Sequence, residues 1–222
     1  MNMPKTLLHA EWYLTHDVLS AAKNLLGMIL RSEIDGHVCE GIIVETEAYR
    51  GADDRGCHSY GNKITERNRT MFDIGGSVYV YICYGIHPML NVVIGNSGVA
   101  DAVLIRAVEP IQGLKIMMER RDIDSENRLK TTSGPGNLAN AFGINKLYDG
   151  DKFFDPSSPI QIFSNGIKPS SIYEGHRVGM SARIGTCAFR PWRFYIEGNV
   201  WVSNPKHIDY TQKTKFSKLC NI

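Results

Sequence analysis

Two glutamates spaced two residues apart, Glu45 and Glu47 in the string VETEAY, are the first candidates for chemistry. Residues i and i+2 of an extended segment share a face, so both carboxylates point the same way if a strand persists that far. A partly buried carboxylate oriented by a donor or a cation can take a proton from water. Taken alone, the segment reads more simply as a pair of exposed strand-end glutamates. Arg106 interrupts the apolar run AVLIRAV and must pair with something if it is buried, because an unpaired interior charge is very costly. A glutamate partner would make a structural ion pair, which is also the arrangement a catalytic carboxylate needs. Tyr79 and Tyr81 alternate onto one face of SVYVYIC, and Tyr49 is close to Glu47 in sequence only. Aromatic faces stack on planar bases for about 1–3 kcal/mol each, and core packing is the plain alternative. His58, in a loop rich in Gly, Asp and Arg, could meet a ligand edge or sit idle at the surface. Tyr84, followed by Ile86, His87 and Pro88, makes an exposed apolar wedge of the kind that unstacks a base step, unless the tip folds back.

The elements that must hold these groups are legible in outline. Asp17 is placed to cap a helix with Val18, Leu19, Ala22, Leu25 and Leu26 on one face, stopped by Gly27 as the first residue past its end. Residues 37–46 read as a strand, and 77–95 as a hairpin broken at Tyr84-Gly85, with Pro88 at an edge or turn. Residues 102–108 read as a further strand. Pro110 then opens a helix whose buried face is Ile111, Leu114, Met117 and Met118, ending near Arg121. Residues 134–142 give a short helix after GPG, and 160–163 and 192–197 late strands. Strands outnumber helices and hairpins outnumber crossovers, so the fold class is α+β, one mixed domain over residues 1–222.

Composition narrows the function classes. The 222 residues are 43% hydrophobic and 22% charged, which excludes disorder, collagen and coiled coil. No apolar run reaches the ~18 residues of a membrane span, and MNMPKTLLHAEW lacks the apolar core of a secretion signal, so no membrane partner is expected. Five cysteines (Cys39, Cys57, Cys83, Cys187 and Cys220) are scattered without metal spacing, which points to a reducing compartment, free thiols and no metal. The net charge is only +2, but residues 168–222 hold nine lysines and arginines against three acids. A smaller basic cluster comprises Arg50, Arg55, Lys63, Arg67 and Arg69. A basic face that tracks phosphates would explain both, and a solvated tail plus a polar loop would do so equally well.

In order along the chain, VETEAY, CHS, RNRTMF, YVYICYG, LIRAVEP, SGPGNL and RVGMSARIG closely resemble the alkyladenine (3-methyladenine) DNA glycosylases of the mammalian type and their bacterial relatives, from about Asp17 to about Ser203. The resemblance implies a curved antiparallel sheet with a protruding hairpin that enters the minor groove. It implies hydrolysis of the N-glycosidic bond of alkylated or deaminated purines, with no cofactor and no lysine Schiff base. Under it, Glu47 activates water with Arg106 as partner, and Tyr49, His58, Tyr81 and Asn91 form the base pocket. Asn91 would crowd the 2-amino group of guanine. Tyr84 fills the gap left by the flipped nucleotide, flanked by Ile86 and His87. Lys63, Thr65 and Arg67 hold phosphates, helped by the loop from Arg177 to Gly185. The implied partner is double-stranded DNA containing damaged purines, met by a monomer at the nucleoid in the bacterial cytoplasm, or in the nucleus of a eukaryote. The absence of a long N-terminal extension favours the bacterial version. Ile86, His87 and the stretch TCAFRPWRF depart from the mammalian pattern. The rival is a non-catalytic lesion-binding relative, against which Glu47 and Arg106 together count. A hydrolase of free nucleosides or RNA is a second rival, and the wedge and basic segment favour a polymer.

Overall fold

Nine strands join into one sheet in this structure, a computed structural model that describes residues 5–203. In chain order they are β1 (Thr6–Leu7), β2 (Ile29–Ile34), β3 (His37–Arg50), β4 (Val78–Cys83), β5 (His87–Ile94), β6 (Asp101–Gln112), β7 (Ile160–Ser164), β8 (Ile172–Gly175) and β9 (Arg193–Ile196). The main path runs β1-β7-β2-β3-β6-β5-β4; β9 also pairs with β3, and β8 with β9. All of these pairings are antiparallel, and the sheet stays open rather than closing into a barrel.

Helices cover one face of this mixed α/β domain. They are α1 (Ala10–Thr15), α2 (Val18–Asn24), α3 (Leu114–Arg120) and α4 (Pro135–Ala141). Asp17 caps α2 by accepting from the backbone N–H groups of Leu19 and Ser20, as its position predicts. The left-handed Gly27 stands two residues past the cap residue Leu25 rather than directly after the helix. Val18, Ala21, Ala22 and Leu25 of α2 bury against Ile43, Ala48, Val103 and Ile105 of the sheet. Each such aliphatic side chain contributes roughly 1.5–3 kcal/mol when fully buried. Leu138 and Phe142 do the same beside α4.

Pro110 does not open a helix. β6 runs on to Gln112, with Gly41 opposite Pro110 and Glu40 opposite Gln112, and α3 starts only after Gly113 at φ +80°. Continuous pairing with β3 outweighs the local preference of proline for a first helical turn. Ile111 is therefore an exposed strand residue, and Met117 is the fully buried one of the four expected. Pro88 lies inside β5 opposite Ile82, before the stretch where β5 joins β6, so its missing N–H faces no ladder partner there.

Two facing bulges set the side on which the candidate groups point. Between Ile43 and Glu45 the register gains a residue on β3, and between Glu45 and Thr46 it gains one on β6, at Arg106. A bulge places two consecutive residues on one face and re-aims the side chains beyond it. Ile43 and Ala48 thus face the helices, and Thr46 donates its hydroxyl to the Ala22 carbonyl oxygen of α2. Val44 and Ala107 instead join Tyr195 and Trp201 on the opposite face.

Candidate active site

Register brings Tyr79, Asn91 and Glu47 into one row on that second face. Tyr79 lies opposite Asn91, Asn91 opposite Leu104, Leu104 opposite Glu47, and Glu47 opposite Arg193. Both glutamates of VETEAY are completely buried, contrary to the simple reading of exposed strand ends. Glu45 accepts from Arg106 Nε and Arg193 Nε, each at 2.8 Å, and from the Ser203 N–H and hydroxyl at 2.8 and 2.9 Å. Burial would push its carboxyl up, but the charges of Arg106 and Arg193 outweigh that and hold it below the ordinary carboxylate range. Glu45 is thereby spent on neutralising arginines.

Glu47 is held differently. Its Oε1 accepts from the Val178 N–H at 2.6 Å and lies 3.3 Å from Arg106 Nη1, while Oε2 accepts from the Tyr49 hydroxyl at 2.8 Å. Burial and the adjacent Glu47 charge keep the Tyr49 phenol protonated far above its usual range, so it stays a donor. Arg106 is the shared counter-ion, and the two carboxylates hold it protonated although burial opposes this. A buried, oriented carboxylate with a cation at its side can deprotonate water and stabilise a cation forming above it.

Tyr49 also lines a cavity of about 110 Å³, together with His58, Tyr79, Tyr81, Asn91 and Met180 among others. The Tyr79 and Tyr81 rings stand 5.6 Å apart at 33°, and His58 meets Tyr81 edge-on at 4.6 Å. Burial raises the Tyr81 phenol to about 12 and, with the nearby Arg67 charge adding to it, lowers His58 to about 4. The imidazole is therefore neutral near pH 7. Its Nδ1 lies 3.1 Å from the Tyr79 hydroxyl, which leaves Nε2 for a ligand edge. Asn91 spends its amide N–H groups on the carbonyl oxygens of Tyr79 and Met89, at 3.2 and 3.0 Å. What it retains for a ligand is an acceptor.

Beside the cavity, the β4–β5 hairpin projects into solvent. Tyr84 is 91% exposed and Ile86 71%, so the tip does not fold back. Tyr84 and Gly85 both take positive φ, 51° and 77°, and the Ile86 N–H donates to the Cys83 carbonyl. That is a type I′ turn, which matches strand twist but strains any residue with a Cβ in its first central position. The tyrosine is held there fully exposed, with no partner among the described residues to repay the strain. His87 turns inward, its ring against Gly136 at the start of α4.

The expected phosphate contacts divide. Lys63 and Thr65 are exposed, in a loop pinned by the buried Asn68. Arg67 is exposed too, but its guanidinium lies 5.2 Å from the Tyr81 ring centre. Arg177 is a correction. It is fully buried, donates to the Asp54 carboxylate and to the carbonyls of Ala48 and Cys187, and covers the Tyr49 ring at 4.7 Å. Its side chain is a structural counter-ion with no face open to a phosphate, and Gly56 permits the approach, since a Cβ there would stand 2.8 Å from its Nη2. Arg193 is likewise buried on Glu45, so the basic count of residues 168–222 overstates the charged surface. Lys206, Lys213, Lys215 and Lys218 lie outside the described residues.

Sequence reasoning missed Asp54, Ser203 and the Val178 N–H as parts of the site. Asp54 and Arg177 are 123 positions apart, and a backbone donor leaves no trace in residue type. The charged loop string ADDRG was the available signal, because an acid that comes after a strand carrying candidate groups is placed to pair.

Comparison with known proteins places the whole chain. Residues 12–200 match the methylpurine-DNA glycosylase (MPG) family. A protein of Chlamydia felis designated a 3-methyladenine DNA glycosylase is 38% identical over 192 residues, covering 86% of this chain and 96% of its own. One of Bacillus licheniformis, of the same designation, is 39% identical over 203 residues, 91% of this chain and 100% of its own. One of Chlamydia pneumoniae reaches 46% over 138 residues, 62% and 70% of the two chains.

Proposed function

The chain belongs to the methylpurine-DNA glycosylase family, and we propose that it is a base-excision repair enzyme hydrolysing the N-glycosidic bond of alkylated or deaminated purines in duplex DNA. The observation that carries this reading is Glu47, fully buried, held by Val178 and Arg106 and bonded to Tyr49, which lines the aromatic cavity. A stacked base hides its glycosidic bond, so the nucleotide must be flipped out, at a cost of a few kcal/mol that is smallest for a damaged base. Tyr84 would fill the vacated stack, with Ile86 beside it, while Lys63 and Thr65 hold the backbone. The flipped base would lie between Tyr49, Tyr81 and His58. Asn91 at the floor would disfavour guanine by crowding its 2-amino group.

Departure of the base leaves an oxocarbenium-like sugar, the charge problem glycoside hydrolases also face. Glu47 would stabilise that cation and take the proton of a water attacking the anomeric carbon. Arg106 holds Glu47 in place at 3.3 Å, and Glu45 shares the Arg106 charge. The reaction proposed is hydrolysis by water, which leaves an abasic site without backbone cleavage. One chain carries every group used, which suits a monomer.

The test is base release from a duplex holding one hypoxanthine, with free inosine alongside. Strand breaks that appear only after alkali, and only from the duplex, are the expected result. Breaks without alkali would mean a lyase, release from free inosine a nucleoside hydrolase, and tight binding without release an inactive lesion binder.

A further inference from the structure

Two arginines lie over tyrosines of the base cavity, and they differ in one respect. Arg177, on Tyr49, is neutralised by Asp54. Arg67, on Tyr81, has no carboxylate partner among the described residues. Its position is not casual. The neighbouring Asn68 is 1% exposed and uses its amide completely. The amide oxygen accepts from the Thr65 N–H and hydroxyl, and the amide nitrogen donates to the carbonyls of His58 and Lys63. The loop that carries Arg67 is thus tied to the loop that carries His58. Arg67 also reaches the Ile82 carbonyl at 3.5 Å, on the hairpin strand that carries Tyr81. Its positive charge is felt within the cavity wall, where it helps to keep the His58 imidazole neutral.

We infer that Arg67, laid over Tyr81, biases the cavity against bases that already carry a positive charge and towards neutral damaged purines. The inference rests on the functional reading above and deepens it by naming the favoured substrate class. An aromatic face attracts a cation through its quadrupole. A purine alkylated at N3 or N7 is cationic and would draw on that attraction at Tyr81, but Arg67 already occupies the ring and repels a second charge. A neutral base such as hypoxanthine stacks on the same ring without that penalty. The bias falls where it does least harm, since a cationic purine leaves readily once exposed, whereas a neutral one must stay in the cavity longer.

The experiment compares wild type, Arg67→Gln and Arg67→Lys by single-turnover release at saturating enzyme. One duplex carries hypoxanthine, and the other is treated with dimethyl sulfate so that released 3-methyladenine is counted. For Arg67→Gln the ratio of 3-methyladenine to hypoxanthine release should rise about three- to tenfold, the factor expected for one exposed cation–π contact plus screened repulsion. Arg67→Lys, which keeps the charge, should stay near the wild-type ratio. Binding of undamaged duplex is measured against salt for each variant. Equal loss of both releases, with the salt slope shallower by about one, would make Arg67 a phosphate ligand and overturn the inference. An unchanged ratio would overturn it as well, while wild-type release of both bases would leave the functional reading standing. Wild-type release of neither base would overturn that reading and the inference with it.

Discussion

Glu47→Gln separates chemistry from architecture at this site, because the structure can absorb the amide while losing the charge. The glutamine carbonyl can keep the place of Oε1, accepting from the Val178 N–H and facing Arg106 Nη1. Its NH2 then meets the Tyr49 oxygen, and that hydroxyl turns from donor to acceptor. Arg106 retains Glu45 at 2.8 Å, but Arg193 draws on the same oxygen, so one acid is left to serve two buried arginines. Charge assistance is also lost from contacts that survive as neutral ones, each roughly half as strong. The cost is therefore that of a buried cation losing one acid, about 3–5 kcal/mol, or a Tm lower by roughly 6–20 °C for a domain of this size. Loss of the base is worth about 10²–10⁴ in rate and loss of the fixed charge about 10²–10³, acting as one unit rather than additively. Base release should therefore fall by at least ~10³, about 4 kcal/mol of barrier. Single-turnover release from the hypoxanthine duplex, melting by fluorimetry and lesion-duplex affinity give the three readouts. Release within tenfold of wild type would take Glu47 out of the mechanism. A Tm lower by more than about 20 °C would instead refute the claim that the amide fits.

The groups around Glu47 set three more outcomes. Asp54→Asn leaves the buried Arg177 without its counter-ion, a change that costs about 3–5 kcal/mol; thermal melting should drop by roughly 6–20 °C, and a drop under 2 °C would mean that the pair compensates no buried charge. Tyr84→Ala removes an exposed side chain but keeps a Cβ at the left-handed position, so stability should hold within about 0.5 kcal/mol. Flipping, read by the fluorescence of a 1,N6-ethenoadenine duplex, should weaken at least tenfold with the salt slope unchanged. Glu45 has a folded pKa below its unfolded one, so its stabilisation is complete above the unfolded value of ~4.3 and is lost as pH falls through the folded value. Urea midpoints taken from pH 6 to pH 3 should accordingly begin to fall from this group only below about pH 4.5.

Features carried by short-range pattern were legible in the sequence. Alternation in SVYVYIC put Tyr79 and Tyr81 on one face, opposite Val78 and Val80; in the structure the valines join the main core and the tyrosines line the cavity. The cap at Asp17 and the short helix after Gly134 were equally local. Elements that depend on a distant partner were not legible. β2, with Arg31 and Glu33 inside it, lacks a clean apolar period and exists because β3 and β7 flank it. β8 is four residues that pair only with β9. Arg177 carried the charge of a phosphate ligand, and only the fold could put it against Asp54 and beneath Tyr49.

The same limit explains why two glutamates in one short string come to different ends. An uninterrupted β3 would send residues 43, 45 and 47 to a single face, and Ile43 packs with the helices. Glu45 and Glu47 would then be two carboxylates in an apolar core with no cation in reach, an arrangement that costs several kcal/mol per charge. The extra residue on β3 before Glu45 reverses the phase and brings both onto the other face. The extra residue on β6 does the same for Arg106, and restores the register so that Glu47 still meets Leu104 and Asn91 still lines the cavity. Neither bulge suffices alone, since one would move the acids without their cation and the other the cation without its acids. With both in place, Arg193 and Ser203 fill the remaining valences of Glu45, and that saturation leaves Glu47, bonded to the cavity-lining Tyr49, for the role proposed above. On that proposal, the active carboxylate is chosen by what its neighbour two residues away has already absorbed.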